Sequence, residues 1–132
     1  MNTNSSILIP ISPAELIDKI CILEIKVEKI TDPEKNNNVK NELEKLKVVM
    51  NQQITSSPEL ETLIEKLRSV SRRGWEAEDI KRTCEREEDF GPRFIEAART
   101  AYQNNDDRAA IWKEINLLLN SDIIQEKSYE KY

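Results

Sequence analysis

Histidine is missing from this chain of 132 residues. That removes the commonest general base and the commonest transition-metal ligand, and with them serine–histidine and cysteine–histidine hydrolase mechanisms. Glycine occurs only twice and aromatic residues make up 5%. Sandwiches and barrels need more turn glycine and more β-forming residues than this. The two cysteines, Cys21 and Cys84, have no spacing that suggests zinc or a redox pair. No apolar run is long enough to span a bilayer. The opening MNTNSSILIPIS has no basic region and carries Pro10, so it does not read as a signal peptide. A net charge of −5 argues against broad phosphate neutralisation, and the Arg72-Arg73 pair reads as a solvated surface feature. The expectation is a soluble cytoplasmic protein with no nucleic-acid or membrane partner.

What the chain does have is charge, at 34% of residues. With little glycine this points to long, salt-laced helices, and the length suits one domain able to bury a core without disulfides or metal. Residues 1–11 read as a short extended N-terminal segment, whose apolar run 6–11 (SILIPI) is kept at an edge or as a docked tail by Pro10. Ser12, Pro13 and Glu15 then form a helix start, with a capping serine and a proline in the first turn. Leu16, Ile20, Leu23, Val27 and Ile30 repeat at steps of four and three, with Ile17 and Cys21 widening the stripe, so the first helix covers 14–30. Asp32 and Pro33 open a second helix to about residue 53, carrying Val39, Leu43, Leu46 and Met50. The short connection makes the two an antiparallel, coiled-coil-like hairpin. The asparagines 36–38 read as an exposed first turn.

Ser57 and Pro58 start a third helix with Leu60, Leu63, Ile64, Leu67, Val70 and Gly74 on its stripe. Gly74 either kinks it or lets a neighbouring backbone approach. Asp89, Phe90, Gly91 and Pro92 form a turn into a fourth helix. Asn104, Asn105, Asp106 and Asp107 read as a break and a capped restart. A fifth helix then carries Ile111, Trp112, Ile115, Leu118 and Leu119 and ends near Asn120. The tail 122–132 holds enough apolar residues to dock. The fold class predicted is all-α, a single-domain bundle of about five helices.

Several charges fall on apolar faces. Glu24 lies between Ile30 and Ile17 on the first wheel, and Arg108 lies between Ile115 and Leu119 on the last, at about 100° per residue. Glu78 and Arg82 continue the stripe of the third helix. An unpaired buried ion costs several kcal/mol, roughly, so inward charges must pair. Arginine is the natural partner for an inward carboxylate. Arg108 is the expected partner of Glu24, with Arg82 or Arg99 next. Two readings stay open: a buried ion-pair network that fixes how the helices dock, or a polar pocket between helices. Lys26, Trp75, Arg93, Arg99 and Tyr102 lie near the edges of their faces and are further candidates for such a pocket. No complete catalytic set is present, and neither a metal nor a cofactor is expected.

The stretches 9–26 (IPISPAELIDKICILEIK), 89–95 (DFGPRFI), 105–110 (NDDRAA) and 125–129 (QEKSY) resemble a family of short bacterial and phage proteins described as a domain of unknown function. The resemblance implies a self-contained helical module, sometimes appended to larger proteins, and assigns no activity. Its blocks include Glu24, Arg93 and Arg108. The first helix is also loosely similar to that of the helical chorismate mutases, through Ile17-Asp18. The arginine such enzymes need there is absent. Glu76, Glu78 and Asp79 are similar to part of the magnesium site of the all-α nucleotide pyrophosphohydrolases. The upstream acidic pair is missing, since Glu24 and Glu28 are four apart rather than three. The leading expectation is therefore a non-catalytic interaction or accessory module, with an unidentified protein partner or self-association through the hairpin. The alternative is a small-anion or metabolite-binding protein with arginine and glutamate between its helices.

Overall fold

Four segments carry proline in the first helical turn, where its missing N–H breaks no bond. They are α1 (Pro13–Lys29), α2 (Pro33–Gln53), α3 (Pro58–Glu87) and α4 (Pro92–Leu118). The computed structural model describes residues 5–132. Among them there are four helices and no strand, in one small domain. Side chains cap the first three helices. Ser12 Oγ accepts from the Glu15 amide at 3.2 Å, Asp32 Oδ2 from Lys35 at 2.9 Å and Ser57 Oγ from Leu60 at 3.1 Å. Gly91 precedes α4 and contributes no side chain. Asn36 is more than an exposed turn residue. Its amide donates to the carbonyls of Val27 and Ile30, both at 2.9 Å, and so closes the free end of α1.

The predicted fifth helix is not a separate element, because α4 runs unbroken through Asn104, Asn105, Asp106 and Asp107. No glycine or proline interrupts the backbone there. The polar side chains bond to other parts of the chain rather than capping a new start. Asn104 Nδ2 donates to the Val70 carbonyl at 2.8 Å, and Asp107 pairs with Arg73 at 3.8 Å. Gly74 leaves α3 unbroken as well. What approaches it is a side chain, since a Cβ at this position would stand 2.6 Å from Asn104 Nδ2.

The first helix is buried nearly all round, as a helix packed by several neighbours must be. Ala14, Ile17 and Cys21 join Leu60, Ile64, Leu67 and Val70 of α3 and Ile111 and Ile115 of α4 in one core cluster. Leu16, Ile20 and Leu23 meet Leu43 of α2 in a second. Among the described residues the backbone of α2 comes close to α1 alone, with Met50 near its end packed against the first cluster, while α3 and α4 share the largest interface. The domain is thus an α3–α4 pair with α1 laid across it and α2 on the outside. Residues 5–12 precede α1 without regular structure, and Ile7 and Leu8 are 86% and 93% exposed. Residues 1–4 of the expected extended segment lie outside the described residues. Toward the C-terminus, Gln125 accepts from Asn116 at 3.0 Å, and Tyr132 meets Tyr102 edge-on at 5.1 Å. No described helix is long and apolar enough to cross a membrane.

Candidate functional site

Burial of α1 on two sides explains the main ion pair of the molecule. Asp18 lies four residues after Ala14 and three before Cys21, both buried, so its carboxylate faces the α3–α4 pair. Arg108 of α4 meets it with two parallel bonds, Nε to Oδ1 at 2.7 Å and Nη2 to Oδ2. The Asp18 side chain is 4% exposed and that of Arg108 35%. The bond to Asp18 raises the Arg108 pKa above its ordinary value, against the opposing effect of burial. The guanidinium also sits 5.4 Å from the centre of the Trp112 ring.

The expected Glu24–Arg108 pairing is therefore replaced. Six helical positions separate Asp18 from Glu24, which turns them about 120° apart on α1. Glu24 faces α3 and takes Arg68 Nε at 3.4 Å, with side chains 33% and 44% exposed. Neither Arg82 nor Arg99 is its partner. A half-exposed carboxylate reached by a half-exposed arginine is a surface pair of small energy, not a buried one.

Arg108 also borders a cavity of about 470 Å³ between α1, α3 and α4. Four of the sequence-predicted residues meet on its wall: Trp75, Glu78, Arg82 and Arg108. Glu78 takes Lys81 at 2.9 Å and Arg82 at 2.6 Å. Those bonds, Lys81 first, hold its carboxyl below the usual carboxylate range. Asp79 is on the same wall and has no ion-pair partner among the described residues. The other candidates lie elsewhere. Lys26 borders a neighbouring groove of about 260 Å³ that Asp18, Arg108 and Trp112 also line. Arg93 pairs with Glu87 at 3.3 Å near the α3–α4 turn. Arg99 is exposed on α4, and Tyr102 is half-exposed against Tyr132.

Sequence reasoning missed the polar atoms that matter most. Ser71 and Asn104 are buried on the cavity wall. Ser71 Oγ and Asn104 Oδ1 find no hydrogen-bond partner among the described residues. The donation from Asn104 Nδ2 to the Val70 carbonyl fixes the amide orientation, because a flipped amide would set two oxygens against each other. Gly74 makes this geometry possible by leaving room for the Asn104 amide against α3. A buried polar group without a partner costs about 1–3 kcal/mol, so two on one wall call for a physical explanation.

The remaining reactive groups are quiet. Burial, with the nearby Glu24 charge second, pushes the Cys21 thiol from 9.0 up to about 12. Cys84 is fully buried. Glu76, Glu78 and Asp79 do not converge. Among the described residues no group of three acidic or thiol side chains is placed to hold a metal ion.

Fold and site together define a small all-α domain with a largely apolar cavity, carrying a few polar groups, between three of its helices. The chain belongs to a family of unknown function, DUF6165, whose family model matches residues 7–132. No curated protein and no solved structure matches it.

Proposed function

We propose that the chain is a non-catalytic binding module whose ligand sits between α1, α3 and α4. One observation carries this reading: Ser71 Oγ and Asn104 Oδ1, both buried and unpartnered among the described residues, share the wall of the 470 Å³ cavity. Ligand pockets combine an apolar surround with a few fixed polar groups, and Ile22, Ala101 and Trp75 supply that surround here. Binding without chemistry is supported by the state of the reactive groups. The thiols are buried, Glu78 is held ionised by two cations, and a general base of the histidine type is absent from the sequence. An amide-resolved NMR screen of a small-fragment library tests the reading. Hits should shift the amides of Ser71, Gly74, Asn104 and Asn105 together. A library whose hits cluster anywhere else, or nowhere, would refute it.

The exposed Ile7 and Leu8 favour a second reading, an accessory module that contacts a protein partner or its own copy through the segment before α1. Light scattering of the full chain tests self-association. An oligomer that Leu8→Asp converts to a monomer supports it, and a monomer at high concentration removes that form of it.

A further inference from the structure

The free hydrogen-bonding valences of the cavity define a ligand class. Asn104 Oδ1 is an acceptor only, so its partner must bring an O–H or N–H donor. Ser71 Oγ can both donate and accept. The exposed Asp79 carboxylate, without an ion-pair partner among the described residues, accepts as well. Both guanidinium groups on the wall already hold carboxylates, Arg108 through Nε and Nη2 on Asp18 and Arg82 through Nη1 on Glu78. The Nε–Nη2 edge of Arg82 is free among the described residues, but that side chain is 73% exposed at the rim, where an anion would stay in water and face Glu78. Deeper in the cavity it would meet charges that cancel and a carbonyl oxygen that repels it. A cation would find the Asp79 carboxylate, but that group is exposed and shares the wall with Arg82 and Arg108. The Arg108 N–H groups that Asp18 leaves free still suit a neutral hydroxyl oxygen, and Trp75 offers an apolar ring for the flat face of a sugar.

We propose that the cavity takes an uncharged, hydroxyl-rich ligand of monosaccharide size. This rests on the binding reading above and names the ligand chemistry of the same site. Ser71 Oγ and Asn104 Oδ1 are buried beneath the cavity surface, so the side chains that cover them yield on binding, and hydroxyl groups of the ligand then donate to Asn104 Oδ1 and to Asp79. Others accept from Ser71 and Arg108, and the carbon face lies on Trp75. No covalent change is involved.

The test is amide-resolved NMR titration of the full chain with three probe sets. One holds neutral polyols (glucose, N-acetylglucosamine, inositol), one holds anions (phosphate, citrate), and one holds simple amines. A polyol should saturate with a dissociation constant on the order of 0.1–10 mM, the range of a small wet pocket. It should shift the amides of Ser71, Gly74 and Asn104. Its affinity should be the same in 20 and 300 mM salt, roughly, since a neutral ligand is not screened. Ser71→Ala, which leaves the fold intact by circular dichroism, should weaken it by about 3–10-fold, the loss of one neutral hydrogen bond. Anions or amines binding here while polyols fail would overturn the ligand class and leave the binding reading standing. Polyol shifts confined to other surfaces would overturn the ligand class too. If no probe of any set shifts these amides, and the fragment screen is blank as well, both readings fall.

Discussion

Removing Arg108 leaves the Asp18 carboxylate in the core without its counter-charge, and the two partners differ in what their loss costs. The Asp18 side chain is 4% exposed, so in Arg108→Met it has no route to water, and a stranded buried charge costs about 3–5 kcal/mol. With roughly 2 cal/mol/K of unfolding entropy per residue, that loss lowers the melting temperature of a 132-residue domain by about 10–18 °C. The reverse deletion is milder. In Asp18→Leu the Arg108 side chain, already 35% exposed, swings toward solvent, and leucine adds apolar burial, so the loss is about 1–2 kcal/mol. In the double variant Asp18→Leu/Arg108→Met neither charge is left, and its stability should return to within about 1 kcal/mol of the parent. Urea unfolding at pH 7, followed by far-UV circular dichroism, measures all four proteins. The double variant should be more stable than Arg108→Met alone. Additive losses, or a larger loss in Asp18→Leu than in Arg108→Met, would show that the two side chains are not the buried pair described here.

Three further outcomes follow from the same geometry. Gly74→Ala gains about 1 kcal/mol of helix propensity but displaces the Asn104 amide from the Val70 carbonyl at a cost of about 1–3 kcal/mol. Urea melts should show a net loss for Gly74→Ala and recovery in Gly74→Ala/Asn104→Ala; a stabilised single variant would contradict the close approach. Lys81 and Arg82 lower the Glu78 pKa from the ordinary 4.5, so this carboxylate stabilises the fold above that value and the benefit disappears as pH falls through the folded value. The stability gap between the parent and Glu78→Gln should be present at pH 7 and shrink as pH falls below the ordinary 4.5, and a pH-independent gap would argue against the pairing. With its thiol at about 12 instead of 9.0, Cys21 holds about a thousandfold less thiolate at pH 8 than a free thiol, and Cys84 is fully buried. Ellman's reagent should therefore count two thiols only after unfolding; fast reaction of either in the native protein would contradict the packing of the core.

Much of the frame is legible in local chemistry. The prolines at 13, 33, 58 and 92, three of them preceded by Ser12, Asp32 or Ser57, mark the helix starts because capping acts over three or four residues. The stripe from Leu16 to Val27 points at α2, and its reading as one apolar arc is where the account of α1 fell short. Ala14, Ile17, Cys21 and Ile25 form a second buried side, and Asp18 lies among them. That second side was present in the pattern, whereas the Asp18–Arg108 contact spans 90 residues and has no local signature. Glu24 sits at the margin between the two faces, and its flexible stem carries the carboxylate out to Arg68. Asn104 looks like a helix break because asparagine favours caps. Its actual partner is a carbonyl 34 residues away, in the groove that Gly74 opens. Of the residues on the cavity wall, Glu78 and Arg82 are legible because the stripe of α3 continues past Gly74, Trp75 from the edge of that face, and Arg108 from the apolar arc of the last helical stretch. Ser71, one position beyond Val70, escaped notice as an ordinary small residue.

The central proposal is that the space between α1, α3 and α4 holds a neutral ligand on two polar atoms that have no partner among the described residues. A crystal structure of the full chain grown with a saturating hexose tests it most directly. The expected result is a sugar ring against Trp75 with hydroxyl groups within hydrogen-bond distance of Ser71 Oγ and Asn104 Oδ1. Side chains closed over that space, with both oxygens bonded to the protein itself, would contradict the account.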